Sequence, residues 1–427
     1  MGVAFPSLSL SVALSQKPTH IELKYVRDAA QSTESPHWGK KGTAKVASEV
    51  LKKGGEVASE VSGETSGFDF EGMRFGVKAW RAPASGAREG GSLAVPIVLV
   101  HGFAQQASTW DDTARLLADA GARCFGFELA GHGAGACSAG GDPAERSGFF
   151  DLRFQARALL AFCGTVARDA GVAPVLVGYS MGGRVALQAA CLVGAGPRDG
   201  GPKGGGQFNR ISLRSSAAFA PCDRTGRLDV AESGQRDTAA TLAGDAARMP
   251  AAAPFSALVL ESAGTGPPDD AAREALCERN FAWAARVRDE GVSAFMDWWA
   301  GLPLFESQRI LPDEQRERLC AGRLANDAES LALSFERAGA HVMPSRQESM
   351  RALCELATKG IPVSYLAGEF DAKYCKVAST LQAESQGAIS CRVVPAAGHN
   401  IHLEQPEVFG AILEEVVESC TPKPAAL

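Results

Sequence analysis

Three residues of this chain have the types and the order along the sequence of a nucleophile, an acid and a base: Ser180, Asp371 and His399. Ser180 lies in Gly178-Tyr179-Ser180-Met181-Gly182-Gly183. This G-x-S-x-G turn comes directly after the apolar run PVLVG (174–178) and directly before a helix-periodic run from 181 to about 193. Its glycines permit a sharp turn that presents the serine hydroxyl above a sheet edge, at a helix N-terminus. Asp371 follows the run PVSYLAGEF, and His399 follows CRVVP inside Ala396-Ala397-Gly398-His399-Asn400. Both therefore fall just beyond the carboxyl ends of strands, where open α/β sheets carry functional groups. In such a relay His399 takes the Ser180 proton, and Asp371 fixes the imidazole tautomer and stabilises the imidazolium. Two backbone N–H groups suit an oxyanion hole, those of Met181 after the elbow and of Phe103 in His101-Gly102-Phe103. The alternative is a purely structural turn, because G-x-S-x-G also arises by chance in a chain with 47 Gly.

The other six histidines have plainer readings. His20 and His37 fall in the N-terminal tail, His101 supports the turn before Phe103, and His132 shapes the loop AGHGAG. His341 is a surface or core residue of a helical lobe, and His402 packs or caps beside His399.

The elements that must position these groups alternate. Short apolar runs occur at 96–100, 122–128, 174–178, 256–260, 362–366 and 391–394, and helical periodicity fills 151–169, 373–385 and 406–418. Continuous apolar strands interleaved with helices imply a mostly parallel, doubly wound sheet covered on both faces. About 95 residues between SALVL and PVSYL read as helices alone, a helical cap inserted in the sheet. The expected division is a leader or linker over 1–70, a first core part over 71–261, a cap over 262–357, a second core part over 358–420 and a tail over 421–427. Within the first core part, 194–254 is Gly/Pro/Ala-rich and aperiodic. It reads as a low-complexity insertion, because loops of that length are foreign to compact domains. The first twenty residues carry several Ser and no acid. They read as a plastid transit segment or as a plain tail; without targeting, the protein is expected in the cytoplasm.

Composition narrows the function. Apolar residues are 45% and charged residues 22% of the 427, as in ordinary globular proteins, and the net charge is −6. An acidic chain is a poor match for bulk binding to nucleic acid or anionic membrane. No apolar run approaches the roughly 20 residues of a membrane-spanning helix, so no membrane insertion is expected. The 11 Cys are scattered without metal spacing and read as reduced thiols. No metal and no cofactor are expected.

From His101 to His399 the chain resembles the α/β-hydrolase superfamily. Four further stretches are similar to the 2-succinyl-6-hydroxy-2,4-cyclohexadiene-1-carboxylate (SHCHC) synthase family of menaquinone and phylloquinone biosynthesis. They are GYSMGGRVAL (178–187), DWWAGLPLFES (297–307), CAGRLANDAESLALSF (320–335), and GEFDAKY with AAGHNIHLEQP (368–374 and 396–406). The resemblance spans about 90 to 418, apart from the insertion.

It implies a lyase that eliminates pyruvate from 2-succinyl-5-enolpyruvyl-6-hydroxy-3-cyclohexene-1-carboxylate, with Ser180, activated by His399, acting as base on a ring C–H. It implies no cofactor, a small tricarboxylate substrate, and association with other enzymes of the quinone pathway. It further implies substrate contacts from Tyr179, Trp298, Arg323 and Lys373, and from an arginine of the first cap helix. Arg273 and Arg279 both fall short of the family spacing there, and Arg279 is preferred. Arg184, after the elbow, reads equally as structural or as substrate-contacting. Guanidinium forks suit carboxylates. The cap has 11 Arg, no Lys and 15 acids over 262–354, so most of these arginines belong on solvated faces. A serine hydrolase of carboxylesters or C–C bonds uses the same relay and is the alternative. A non-catalytic binding protein on this fold would be expected to have lost a relay residue.

Overall fold

The computed structural model describes residues 62–81, 93, 95–133, 146–194 and 253–421. Eight strands form one sheet in the order β1-β2-β4-β3-β5-β6-β7-β8. They are β1 (Ser62–Phe70), β2 (Met73–Arg81), β3 (Ile97–Val100), β4 (Cys124–Phe127), β5 (Val175–Tyr179), β6 (Ala257–Glu261), β7 (Val363–Gly368) and β8 (Ser390–Val394). The β1–β2 and β2–β4 pairs are antiparallel and the other five are parallel.

The helices are α1 (Asp111–Asp119), α2 (Leu152–Ala170), α3 (Met181–Gly194), α4 (Asp270–Ala300), α5 (Asp313–Leu324), α6 (Ala328–Ala338), α7 (Arg346–Thr358), α8 (Ala372–Glu384), α9 (Ile401–Glu404) and α10 (Pro406–Cys420). Every residue of β3, β4, β5 and β6 is buried. Their side chains alternate between two cores. Val98, Val100, Leu176, Leu258 and Leu260 join the apolar cluster under α2, α3 and α7, whereas Ile97, Leu99, Val175, Val177 and Val259 join the cluster under α1 and α10. Period-two strands with no polar face require helices on both sides, and both sides are covered.

Two expected boundaries move. The leader read over 1–70 ends earlier, because Ser62–Phe70 pairs residue for residue with Met73–Arg81. The turn between them, Glu71-Gly72, has positive φ at both residues (44° and 83°), the geometry of a tight hairpin. Strand β2 alternates Met73, Phe75 and Val77 inward, all at most 5% exposed. The cap also ends earlier than 357. Helix α7 buries Leu353 and Leu356 in the main core, and Ala352 packs against Gly194 of α3, so α7 belongs to the sheet layer. The cap is then α4, a 3₁₀ segment Pro303–Ile310, α5 and α6, with α4 broken at Gly291 (φ 77°). The leader over 1–61, its targeting reading and the insertion over 195–252 lie outside the described residues. No helix among the described residues is long and apolar enough to cross a membrane. The nine described cysteines are all free.

Candidate active site

The site is built on the elbow after β5. Ser180 has φ 49°, a left-handed conformation that is strained for a side-chain-bearing residue. Close backbone approach holds it there. A Cβ on Gly178 would stand 2.7 Å from Gly182 O, and one on Gly182 would stand 2.4 Å from Val100 O, so neither position admits a side chain. The Ser180 N–H donates to Glu261 O of the neighbouring strand across 2.9 Å.

His399 Nε2 lies 3.1 Å from Ser180 Oγ, and its Nδ1 lies 2.7 Å from Asp371 Oδ2. The other carboxylate oxygen of Asp371 accepts from Tyr374 N at 3.2 Å as the N-cap of α8, so the acid is held from two sides. Asp371 and His399 are 5% and 2% exposed. The loop carrying His399 is pinned by Glu404, whose carboxylate accepts from Gly398 N (2.7 Å) and Asn400 N (3.3 Å). Burial raises the Glu404 pKa above the usual carboxylate range.

A cavity of about 440 Å³ opens over Ser180 and His399. Six cations line it: Arg184, Arg279, Arg323, Arg346, Lys373 and Lys376; no Asp or Glu does. Phe103, Trp283, Trp299, Phe305 and Phe335 supply apolar wall. Arg323, 7% exposed, donates through Nη2 to Gln308 Oε1 at 3.0 Å and stands over the Phe305 ring. Burial lowers its pKa, as it lowers that of Arg184 to about 10. Neither makes an ion pair among the described residues. Arg279 stacks over Trp283, 4.5 Å from the ring centroid. Arg346 pairs with Glu384. Burying Arg184 and Arg323 without a carboxylate partner among the described residues is costly, so this part of the wall is preorganised for an anion. A larger cavity of about 710 Å³ lies between α1, α5 and the start of α10; it touches none of Ser180, Asp371 and His399, and its charges are mixed.

The structure thus brings Tyr179, Ser180, Arg279, Arg323, Lys373 and His399 to one cavity, with Asp371 behind His399. Phe103 lines it, and Met181, buried, follows Ser180 at the N-terminus of α3. Of the two first-helix arginines, Arg273 is turned away. Its guanidinium donates to the carbonyls of His341 and Met343, the latter at 2.8 Å. Trp298 does not reach the cavity; Trp299 does. One residue along a helix is a rotation of about 100°. That rotation sets Trp298 edge-on to Trp283 and under Arg286, 4.2 Å from the ring centroid. Arg184, read two ways from sequence, lines the cavity. Arg346, Lys376 and Trp283 were not legible as site residues, because no motif marks them and only the packing of α7, α8 and α4 around the cavity brings them there.

His101, His132 and His341 are buried and structural. His101 accepts from Leu129 N through Nε2 (3.1 Å), so its Nδ1 donates to Gly102 O (2.8 Å), and burial holds its pKa down at about 3. His132, also fully buried, is held at about 4 with Nδ1 facing Ala130 O. His341 contacts Asn280 and is likewise lowered by burial to about 4.

The fold and the elbow define an α/β hydrolase, and the chain matches the alpha/beta hydrolase family over residues 97–412. It belongs to that family and is an enzyme of it. A putative 2-succinyl-6-hydroxy-2,4-cyclohexadiene-1-carboxylate synthase of Bacillus subtilis is 33% identical over 164 residues, 38% of this chain. That match spans only 57% of the Bacillus protein. The 2-succinyl-6-hydroxy-2,4-cyclohexadiene-1-carboxylate synthase of Citrobacter koseri is 28% identical over 327 residues, 76% of this chain and 94% of that one. Among solved structures, MenH from S. aureus superposes with a TM-score of 0.55 at 21% identity, covering 81% of this chain and 98% of its own. A thermophilic esterase from Thermogutta terrifontis gives 0.52 at 19%, covering 84% and 100%. The shared feature of these two is the fold.

Proposed function

We propose that the protein is an SHCHC synthase: a lyase that eliminates pyruvate from 2-succinyl-5-enolpyruvyl-6-hydroxy-3-cyclohexene-1-carboxylate in menaquinone or phylloquinone biosynthesis. The observation that carries this reading is the cationic lining of the cavity over Ser180, four Arg and two Lys with no carboxylate in the lining itself, Arg346 being ion-paired to Glu384 outside it. A substrate with three carboxylates uses such a wall. A neutral ester gains nothing from it and leaves the buried Arg323 guanidinium, held only by the neutral Gln308 amide, without a counter-charge.

The residues then divide the work. Arg323, Arg184, Arg279 and Lys373 hold carboxylates, and the aromatic wall holds the ring. His399 accepts the Ser180 proton, and Ser180 Oγ removes the ring proton next to the succinyl carbonyl. The electron pair left by that C–H bond flows through the ring double bond, the C–O bond to the enolpyruvyl group breaks, and a cyclohexadiene remains. The backbone N–H groups of Phe103 and Met181 stabilise charge developing on the succinyl carbonyl oxygen. The His399 imidazolium returns its proton to the departing enolpyruvate, which becomes pyruvate. No covalent bond to Ser180 forms. The test is a side-by-side assay of the purified full chain. Pyruvate release from the enolpyruvyl substrate with negligible p-nitrophenyl ester cleavage is expected. Ester cleavage without pyruvate release would replace the lyase reading by a serine hydrolase.

A further inference from the structure

Behind the Ser180–His399 pair lies a second imidazole–carboxylate pair that the relay does not use. Glu261, the last residue of β6, and His402, in α9, are both 0% exposed. His402 Nδ1 is 2.7 Å from Glu261 Oε2, and the His402 N–H donates to Glu261 Oε1 at 3.1 Å. Trp110 stacks flat on the His402 ring, with centroids 3.6 Å apart, and Thr113 Oγ1 donates to His402 O at 3.0 Å. His402 Nε2 has no hydrogen-bond partner among the described residues. Both the Nδ1 and the backbone N–H of His402 thus face the two oxygens of one fully buried carboxylate. Burying a carboxylate–imidazole pair is costly, and one use of such pairs is to fix geometry.

The atoms joined here are the neighbours of the reacting ones. Glu261 O accepts from Ser180 N at 2.9 Å, and His402 lies three residues beyond His399. Tyr179 packs between the two imidazoles, with its ring centroid 5.4 Å from His399 and 5.0 Å from His402. Asp371 holds the His399 ring and Glu404 holds its loop locally. Glu261 links that loop to the strand beside the nucleophile.

We infer that Glu261 is a positioning residue: acting through His402, its carboxylate sets the His399 loop against the Ser180 elbow and so holds the nucleophile–base distance. This rests on Ser180 being the reactive hydroxyl, and it is independent of which substrate the cavity takes. Gln at 261 would still accept from His402 N, but its NH₂ would face the Nδ1–H. Either that bond is lost or the proton moves to the buried Nε2, where no acceptor waits.

The experiment follows phosphonylation of Ser180 in the full-length protein by a fluorophosphonate probe. In that reaction a Ser180 Oγ–P bond forms, fluoride leaves and His399 takes the proton, so the rate reads the Ser180–His399 geometry without the natural substrate. Glu261→Gln is expected to slow labelling about tenfold or more, the loss of one charge-assisted hydrogen bond, while KM for the enolpyruvyl substrate stays unchanged and kcat falls with labelling. His402→Asn puts an N–H donor where Nδ1 stands and should label near the parent rate, whereas His402→Leu should be slow. Labelling of Glu261→Gln at the parent rate overturns the inference. If Glu261→Gln does not fold, equal labelling of His402→Asn and His402→Leu overturns it. Labelling of the parent without pyruvate release removes the lyase reading alone.

Discussion

Arg323 Nη2 donates to Gln308 Oε1 across 3.0 Å, a neutral partner for a guanidinium that is 7% exposed. The amide keeps the side chain aimed into the cavity without cancelling its charge. Arg323→Ala should therefore raise KM roughly ten- to hundredfold, the range for losing a charged hydrogen bond from a buried site, with a much smaller change in kcat. Arg323→Lys should recover only part of the loss, because the fork is missing. Steady-state kinetics on the enolpyruvyl substrate decide this; an unchanged kcat/KM would take Arg323 out of the binding site.

The two adjacent tryptophans should behave differently. Trp299 faces the cavity and stacks near Phe295, Phe305 and Phe335. Trp299→Ala should cost about 3–5 kcal/mol of stability and raise KM. Trp298 packs outside the cavity against Trp283 and Arg286. Trp298→Phe keeps that packing and should leave kcat/KM unchanged. A large KM effect of Trp298→Phe would put the aromatic wall on the wrong face of α4.

Acid should destabilise the fold through His101 and His132. Burial lowers their folded pKa values from 6.5 to about 3 and about 4. Between pH 6.5 and about 4 the unfolded chain binds protons at these positions and the folded chain does not. Stability is fully present above pH 6.5 and falls as pH drops, by up to roughly 1.4 kcal/mol per pH unit for each histidine. Thermal melts of the parent and of His132→Asn from pH 7 to pH 4.5 test this. The variant should lose stability less steeply with acid. Parallel curves would contradict a neutral, buried His132.

The proximity of Ser180, His399 and Asp371 was legible because its signal is local. A strand, a G-x-S-x-G turn and a helix come in sequence, and the acid and base each follow a short apolar run. The parallel strands were legible because fully buried strands are continuously apolar. The β1–β2 hairpin was less so, since Ser62–Phe70 is polar and Gly-containing and only the Glu71-Gly72 turn and the alternation of Met73, Phe75 and Val77 announce it. The cavity wall was legible in part. Arg323, Lys373 and Tyr179 follow motifs, whereas the choice between Trp298 and Trp299 depends on helix rotation, which the break at Gly291 in α4 sets. Arg184 needed the folded cavity to show that it faces inward. The Glu261–His402 pair is 141 residues apart in sequence, and only the folded chain, which sets the helix after β8 beside the end of β6, brings it together.

The central claim is that Ser180 works as a base and forms no acyl-enzyme. The most direct measurement is pyruvate release by the parent and by Ser180→Ala, with the intact mass of the parent read during turnover. The account predicts rapid release with an unchanged protein mass, and a loss in Ser180→Ala of about 10²–10⁴-fold, the usual contribution of a general base. A covalent adduct on Ser180 during turnover, or a Ser180→Ala variant that releases pyruvate at the parent rate, would contradict it.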